Sequence, residues 1–558
     1  MSGKTLHLVF TESDRPDTGG DEVFEISEDL SEENDWFARL SELTTSQEGI
    51  FSYEIFLSHL VHYGNLLTYT QLYSELSKRI ERENITHLAS HGLEKGYRLV
   101  AEDLAEEYDI TVEHQQQDQR TLLPTSKILF RFSVLLLFVD QILSILKEQL
   151  LSSTSVSQNR PLFLPYPGRY KSMLPIIRQM EHPSNIIVTP LTISWRLLNP
   201  VSDWPKAHTT KTLSEFSDLS TIRAELSELF RLQKAVLTDS LELSKNVNEQ
   251  LEDEYGVRLS RTVEYVCRDT LRRDISLVLS LYLVENAVEQ TEPSSVIVGG
   301  MNPRDKYMLE IGEKANADLF YIPHSIAYNR EIIPQITDTT HFVAGQADKR
   351  VIQNQYKEEQ LPDIQPIGRP YLDVLAESSN DQSERGEKQR IILGTQPYPD
   401  WMRERFVKEV LEVIAQMEYR GDVLIKIHPS ESIEYYDNII GREIDTFDIQ
   451  IRQGDISSYI SRDTTLITIN SNVGIESIIA GAYCISYNPF EPFTHPSSYI
   501  NSEDVPYTTT PKELQKQLET VASTETRKNQ IQSIEDSFNF GNSACRIAKR
   551  IQERSRSS

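Results

Sequence analysis

Short apolar runs that end in turn residues, each followed by a helical pattern, recur along this chain and leave few folds open to it. Residues 6–10, 85–90, 110–112, 162–164, 186–188 and 295–298 read as strands. A helical pattern covers 94–108, and longer charged, Leu-rich helical patterns fill 214–254 and 261–287. Strands separated by helices pair in parallel and need helices over both faces of the sheet. The chain therefore reads as α/β, with the two long helical stretches as an insertion or an extra subdomain between strands. A polar, turn-rich stretch over 378–386 marks a boundary. Beyond it, strands at 391–394, 423–427, 466–470 and 484–487 alternate with helices near 401–418 and 474–481, and a charged helical pattern runs over 527–554. Two Rossmann-like parallel-sheet domains are expected, 1–376 with helical insertions and 387–558 with a terminal helix.

Two turns in the second domain carry chemistry. Leu424-Ile425-Lys426-Ile427-His428-Pro429 is an apolar strand that Pro429 ends at an imidazole. Ile469-Asn470-Ser471-Asn472-Val473-Gly474-Ile475-Glu476 is a second strand that runs through a Ser/Asn turn into a helix. In an open α/β sheet ligands sit outside the carboxyl ends of the strands. A helix start there favours an anion. His428, Lys426, Ser471, Asn472, Gly474 and Glu476 thus make a phosphate or diphosphate cradle on one reading. On the other, His428 caps a loop, Lys426 solvates a strand end, Ser471 and Asn472 form a plain N-cap, and Glu476 complements the helix dipole.

The "K-x-H-P" turn followed by "N-S-x-x-G-x-E" resembles GT-B glycosyltransferases of bacterial and archaeal surface polysaccharides. That group includes capsule transferases and the polyol-phosphate polymerases that use CDP-glycerol. Leu319-Phe320-Tyr321-Ile322-Pro323-His324 is similar to their strand ending in "H-G", with Ser325 in place of the glycine. Gly368-Arg369-Pro370-Tyr371-Leu372-Asp373 is similar to the segment before their second domain, and Ile391-Ile392-Leu393-Gly394-Thr395-Gln396 to that domain's first strand. The resemblance implies a GT-B-like fold of two Rossmann-like domains and a nucleotide-sugar donor held by the second domain through His428, Lys426, Ser471, Asn472, Gly474, Glu476 and Gln396. It implies a glycan or lipid-phosphate-linked acceptor on the first, with His324 as catalytic base and His91 or Asp305 as other candidates. A UDP-sugar 2-epimerase of the same architecture and a non-catalytic glycan-assembly protein are the alternatives. No Asp-x-Asp occurs, so transfer without a metal or other cofactor is expected.

Composition narrows the partners. The net charge is −28, from 84 acidic against 56 basic side chains. General nucleic-acid binding needs Lys/Arg surfaces and is not expected. Cys267, Cys484 and Cys545 form no metal or disulfide spacing, which fits a reducing, cytoplasmic setting. The chain opens on a short apolar run that passes into an acidic stretch, unlike a signal peptide. Residues 128–146 are long and apolar, but Arg131 and Asp140 interrupt them. They read as a buried helix or one lying at a membrane face rather than a span. The acidity fits a protein adapted to high salt, such as one of a haloarchaeal source assembling S-layer glycans. Salt screens repulsion between clustered carboxylates, so the melting temperature should rise as potassium chloride goes from dilute buffer to about 1 M. A flat or falling melting curve across that series would contradict salt adaptation.

Overall fold

The computed structural model describes residues 4–9, 22–25, 66–91, 93, 95–115, 157–165, 170–188, 208–212, 216, 222–224, 226–227, 242–300, 303–323, 326, 338–355, 361–379, 389–398, 400–429, 431–440, 449–454, 456, 459–490, 496–500, 504–520 and 524–555. The chain forms two compact units. One holds residues 1–158, 187–203 and 210–292, the other 159–186, 204–209 and 293–558.

The first unit is built on a four-stranded parallel sheet. Its strands β1 (Lys4–Val9), β2 (Glu22–Glu25), β3 (Ile85–His91) and β4 (Thr111–Gln115) lie in the order β2-β1-β3-β4. Leu6, Leu8 and Leu88 are buried in it, with Leu72, Leu76, Val100 and Leu104 from the helices Leu66–Glu83 and Lys95–Tyr108. This sheet stands in addition to the two that the sequence pattern led us to expect. Asp103, on the second of those helices, accepts the backbone N–H groups of Arg261 and Thr262 at 3.0 and 3.1 Å. It thereby supplies the cap of the 32-residue helix Ser260–Thr291, whose own N-cap residue, Leu259, has no side-chain oxygen.

The second unit carries two larger parallel sheets. β5 (Pro161–Pro165), β6 (Asn185–Val188), β7 (Thr209–Thr212), β8 (Ser295–Gly300), β9 (Asp318–Pro323), β10 (Thr339–Val343) and β11 (Asp363–Pro366) take the order β11-β10-β9-β8-β5-β6-β7. β12 (Arg390–Gly394), β13 (Asp422–Lys426), β14 (Ile449–Arg452), β15 (Thr464–Thr468), β16 (Tyr483–Tyr487) and β17 (Tyr507–Thr508) take the order β14-β13-β12-β15-β16-β17. In both, the first strand lies beside the fourth, so the winding reverses there. The central strands β12, β13 and β15 read Ile-Ile-Leu, Val-Leu-Ile and Leu-Ile at their centres and are buried there, as strands covered on both faces require. Phe406, Val407, Val410, Leu411 and Ile414 from the helix Asp400–Gln416 pack on one core. Ile475, Ile478, Ile534 and Phe538 fill another, which also takes in Ala344 and Leu372.

Two segments differ from the sequence reading. The helical pattern over 527–554 is two helices, Thr524–Ser537 and Ser543–Arg554. They are parted where Gly541 and Asn542 adopt φ of +77° and +57°, a left-handed conformation that Gly and Asn tolerate best. Asp373 accepts the N–H groups of Gly541 and Ser543, each at 2.7 Å, so the second helix is capped from a distant segment. That helix packs against the helices Tyr170–Arg178 and Pro370–Ser379. Ser378 and Ser379, read as linker, close the latter helix. The apolar segment 128–146 lies outside the described residues; among those described, no helix is long and apolar enough to cross a membrane.

His341, in β10, is fully buried against Tyr321, with ring centroids 5.0 Å apart. Neither ring nitrogen has a hydrogen-bond partner. Burial pulls its pKa down to about 3 from an ordinary 6.5. The unfolded chain therefore binds a proton at His341 below pH about 6.5 that the folded protein refuses until about 3, so stability falls with falling pH across that window. The slope from this one group is at most about 1.4 kcal/mol per pH unit. Melting temperatures from pH 7 to pH 4 should drop less steeply in His341→Leu than in the wild type; parallel curves would remove His341 as the cause.

Candidate functional site

The candidate site gathers at the carboxyl edge of the six-stranded sheet. β12 pairs in parallel with β13 on one side and β15 on the other, Gly394 facing Lys426 and Thr468. The segments that leave these three strands therefore emerge side by side: Thr395-Gln396, Ile427-His428 and Ile469-Asn470-Ser471. The order of the sheet reverses between β12 and β15. That is the topological switch point, where diverging connections leave a crevice.

Side chains rather than the ladder satisfy the backbone at the end of β15. The strand stops at Thr468, two residues short of the sequence reading. Ser486 Oγ donates to the Ile469 carbonyl at 2.5 Å and Ser497 Oγ to the Asn470 carbonyl at 2.6 Å. The Asn470 N–H donates to Gln396 Oε1 at 3.2 Å. Across the switch point, Gln396 Nε2 and Tyr398 Oη both donate to Asn470 Oδ1 at 2.7 Å. Gln396, expected to touch a ligand, thus has both amide atoms on Asn470 and pins the β12 and β15 exits together.

The turn after Asn470 enters a short helix, Val473–Ile479. Asn472 is its N-cap residue by position and makes no side-chain cap bond. Its Oδ1 instead accepts the Ile326 N–H at 3.4 Å. Ser471 Oγ accepts the Val473 N–H at 3.4 Å, and the Ser471 carbonyl accepts from Tyr499 Oη at 2.8 Å. Gly474 has a packing reason to be glycine: a Cβ there would lie 2.1 Å from Tyr499 Oη. Glu476 follows in the first helical turn and is partly buried.

His428 stands half-buried where β13 ends. Its backbone N–H donates to Glu431 Oε2 at 2.8 Å and, more weakly, to Thr395 Oγ1 at 3.3 Å. Burial lowers the His428 imidazole from its ordinary pKa, Glu431 pulls it back up, and Lys426 pushes it down. The neutral ring still carries one N–H donor and one acceptor. Lys426 Nζ adds positive charge on the same strand end.

The first-domain candidates are His324, His91 and Asp305. His324 lies outside the described residues. Asp305, in the first turn of the helix Pro303–Lys314, is 1% exposed. Its carboxylate lies against Gly300 at the end of β8, where a Cβ would come within 2.2 Å of Oδ2. His91 belongs to the first unit, at the end of β3, with its Nε2 2.9 Å from His7 Nδ1. Among the described residues no group of three His, Cys, Asp or Glu side chains converges. Sequence reading overlooked Thr395, Tyr398, Glu431 and Asn470. Asn470 stands inside the second quoted motif and Glu431 two residues beyond the first, so their spacing was visible and only their partners were not.

No family model matches this chain, and no curated protein sequence matches it. Solved structures do align with it. A UDP-GlcNAc 2-epimerase of Neisseria meningitidis bound to UDP-GlcNAc aligns at 10% identity over 70% of this chain and 100% of the other, with a TM-score of 0.45. The UDP-GlcNAc 2-epimerase of Methanocaldococcus jannaschii in complex with UDP-GlcNAc and UDP aligns at 12% identity over 70% and 99%, with a TM-score of 0.43. The wall teichoic acid polymerase TagF aligns at 13% identity over 78% and 99%, with a TM-score of 0.37. Similarity of this size carries no conclusion about substrate or reaction.

Proposed function

We propose that this chain is a GT-B-type glycosyltransferase that moves a sugar from a nucleotide-sugar donor to a growing, lipid-phosphate- or protein-linked surface glycan. The observation that supports it most is that Lys426 and His428 at the end of β13 and the Ser471-Asn472 turn after β15 lie on either side of the end of β12, at the switch point of the six-stranded sheet. In this reading 387–558 holds the donor and 1–376 the acceptor.

Transfer needs relief for the charge that gathers on the departing nucleotide phosphate, and a base for the acceptor hydroxyl. His428 donates its ring N–H to a phosphate oxygen, and Lys426 and the Ser471 hydroxyl add to the same pole. Tyr398, Gln396 and Asn470 hold the crevice wall, and Glu476 grips a ribose hydroxyl. His324 takes the acceptor proton as the new glycosidic bond forms and the sugar–phosphate bond breaks. His91 and Asp305 are the other candidates for the base. No metal is assigned a part, and activity in excess chelator is expected.

His428→Ala should weaken nucleotide-donor binding by about 1–3 kcal/mol, the range for a lost hydrogen bond to a charged group, with the fold kept. Isothermal titration of the folded variant with UDP-, GDP-, CMP- and dTDP-linked sugars measures this. Unchanged affinity would remove His428 from the site. Product formed from donor alone, without acceptor, would assign the chain to sugar 2-epimerisation instead.

A further inference from the structure

Behind the candidate cradle lies a carboxylate that the proposed transfer does not use. The Glu431 side chain is 1% exposed, and four donors converge on it. Oε2 accepts the His428 N–H at 2.8 Å and the Thr395 hydroxyl at 2.6 Å. Oε1 accepts Tyr436 Oη at 2.7 Å and an Arg403 guanidinium N–H at 3.2 Å. The donors come from four separate elements: the exit of β12, the turn after β13, and the helices Asp400–Gln416 and Ile433–Ile440. The His428 N–H and the Arg403 guanidinium can only donate and the two hydroxyls donate here, an arrangement that a carboxylate, which only accepts, satisfies with both oxygens.

The Thr395 hydroxyl completes the arrangement. It donates its proton to Glu431 and accepts weakly from the His428 N–H at 3.3 Å. Arg403 is held in turn over the Tyr435 ring, 4.2 Å from its centroid. Burial and the neighbouring carboxylate push the Tyr436 phenol up, so it remains a donor. Every partner of Glu431 is therefore committed to the same charge, and one of these bonds, at 2.8 Å, fixes the His428 backbone.

We infer that Glu431 is a positioning residue for the nucleotide-phosphate cradle: its buried negative charge locks the His428 turn to the end of β12 and bears electrostatically on the His428 ring. This rests on the reading of His428 as a phosphate contact. The charge acts on the ring as well as the backbone, since Glu431 opposes the downward pull of burial and Lys426 on the imidazole. Other charges and phenols around the turn are Arg403 and Tyr436, already bound to Glu431, Tyr398, bound to Asn470, and Arg452 on the neighbouring strand, bound to Gln450. None of these can replace a lost carboxylate.

The test uses the full chain and two readouts. Histidine NMR titration follows the His428 ring, assigned by its loss in His428→Ala. Calorimetry with UDP and CMP follows nucleotide affinity. Glu431→Gln keeps the volume and one acceptor oxygen but removes the charge. The His428 ring should then titrate at lower pH than in the wild type, and nucleotide affinity should fall about tenfold, as for a lost charge-assisted contact. Thr395→Val, which removes only the hydroxyl, should weaken nucleotide binding in the same direction by less, and it decides the question if Glu431→Gln does not fold. Unchanged His428 titration in folded Glu431→Gln, or unchanged affinity in both variants when the wild type binds, would overturn the inference. A wild type that binds neither nucleotide would sink the cradle itself, and the NMR titration would still judge Glu431.

Discussion

A carboxylate sealed from water can stay only if every lone pair facing the protein meets a donor. Glu431 meets that condition with four, and the candidate site depends on how it does so. Its donors stand on two strand exits and on the helices that follow them. Moving any of these elements strands a buried charge. The turn that carries His428 is thus held by an obligation of the core rather than by its own loop sequence. Pro429 reinforces it by ending the strand, because it has no N–H to continue a ladder.

The wider architecture serves the same edge. Both sheets of the second unit wind outward from their first strand in two directions. In open α/β sheets connections that diverge leave room for a crevice beside the first strand. In the six-stranded sheet this gap is not left to loops alone. Gln396, Tyr398 and Asn470 cross it with three hydrogen bonds, and Tyr499 stacks its hydroxyl over Gly474 to brace the next turn. A site built on such fixed exits is preorganised: its donors do not have to be gathered when a ligand arrives.

Distant capping is the second theme. Asp103 caps the helix Ser260–Thr291, and Asp373 caps the helix Ser543–Arg554. Each replaces a local N-cap with a buried side chain from another helix. Each bond therefore ties segments far apart in sequence: Asp373 reaches Ser543 within the second unit, and Asp103 reaches Thr262 within the first. The "G-x-P-x-x-D" segment, which resembles a family motif, thus has a structural use for its Asp in this chain.

Periodicity made most of the fold legible. The strands at 162–164, 295–298, 391–394 and 484–487 and the helix over 94–108 were readable because buried parallel strands are short and apolar and their covering helices are amphipathic. The two motifs announced strand exits for the same reason, an apolar run meeting Pro or Ser/Asn. What the sequence could not decide is pairing. That β12 lies between β13 and β15, that β1 to β4 make a sheet of their own, and that a charged terminal stretch breaks at Gly541-Asn542 all follow from contacts between segments far apart. The division of labour at the site was equally hidden. One-dimensional spacing marks His428 as exposed at a turn, but Glu431, Thr395 and Arg403 become one group only when parallel pairing brings two strand ends and two helices together. Local chemistry sets which residues can serve; the sheet order decides which of them meet.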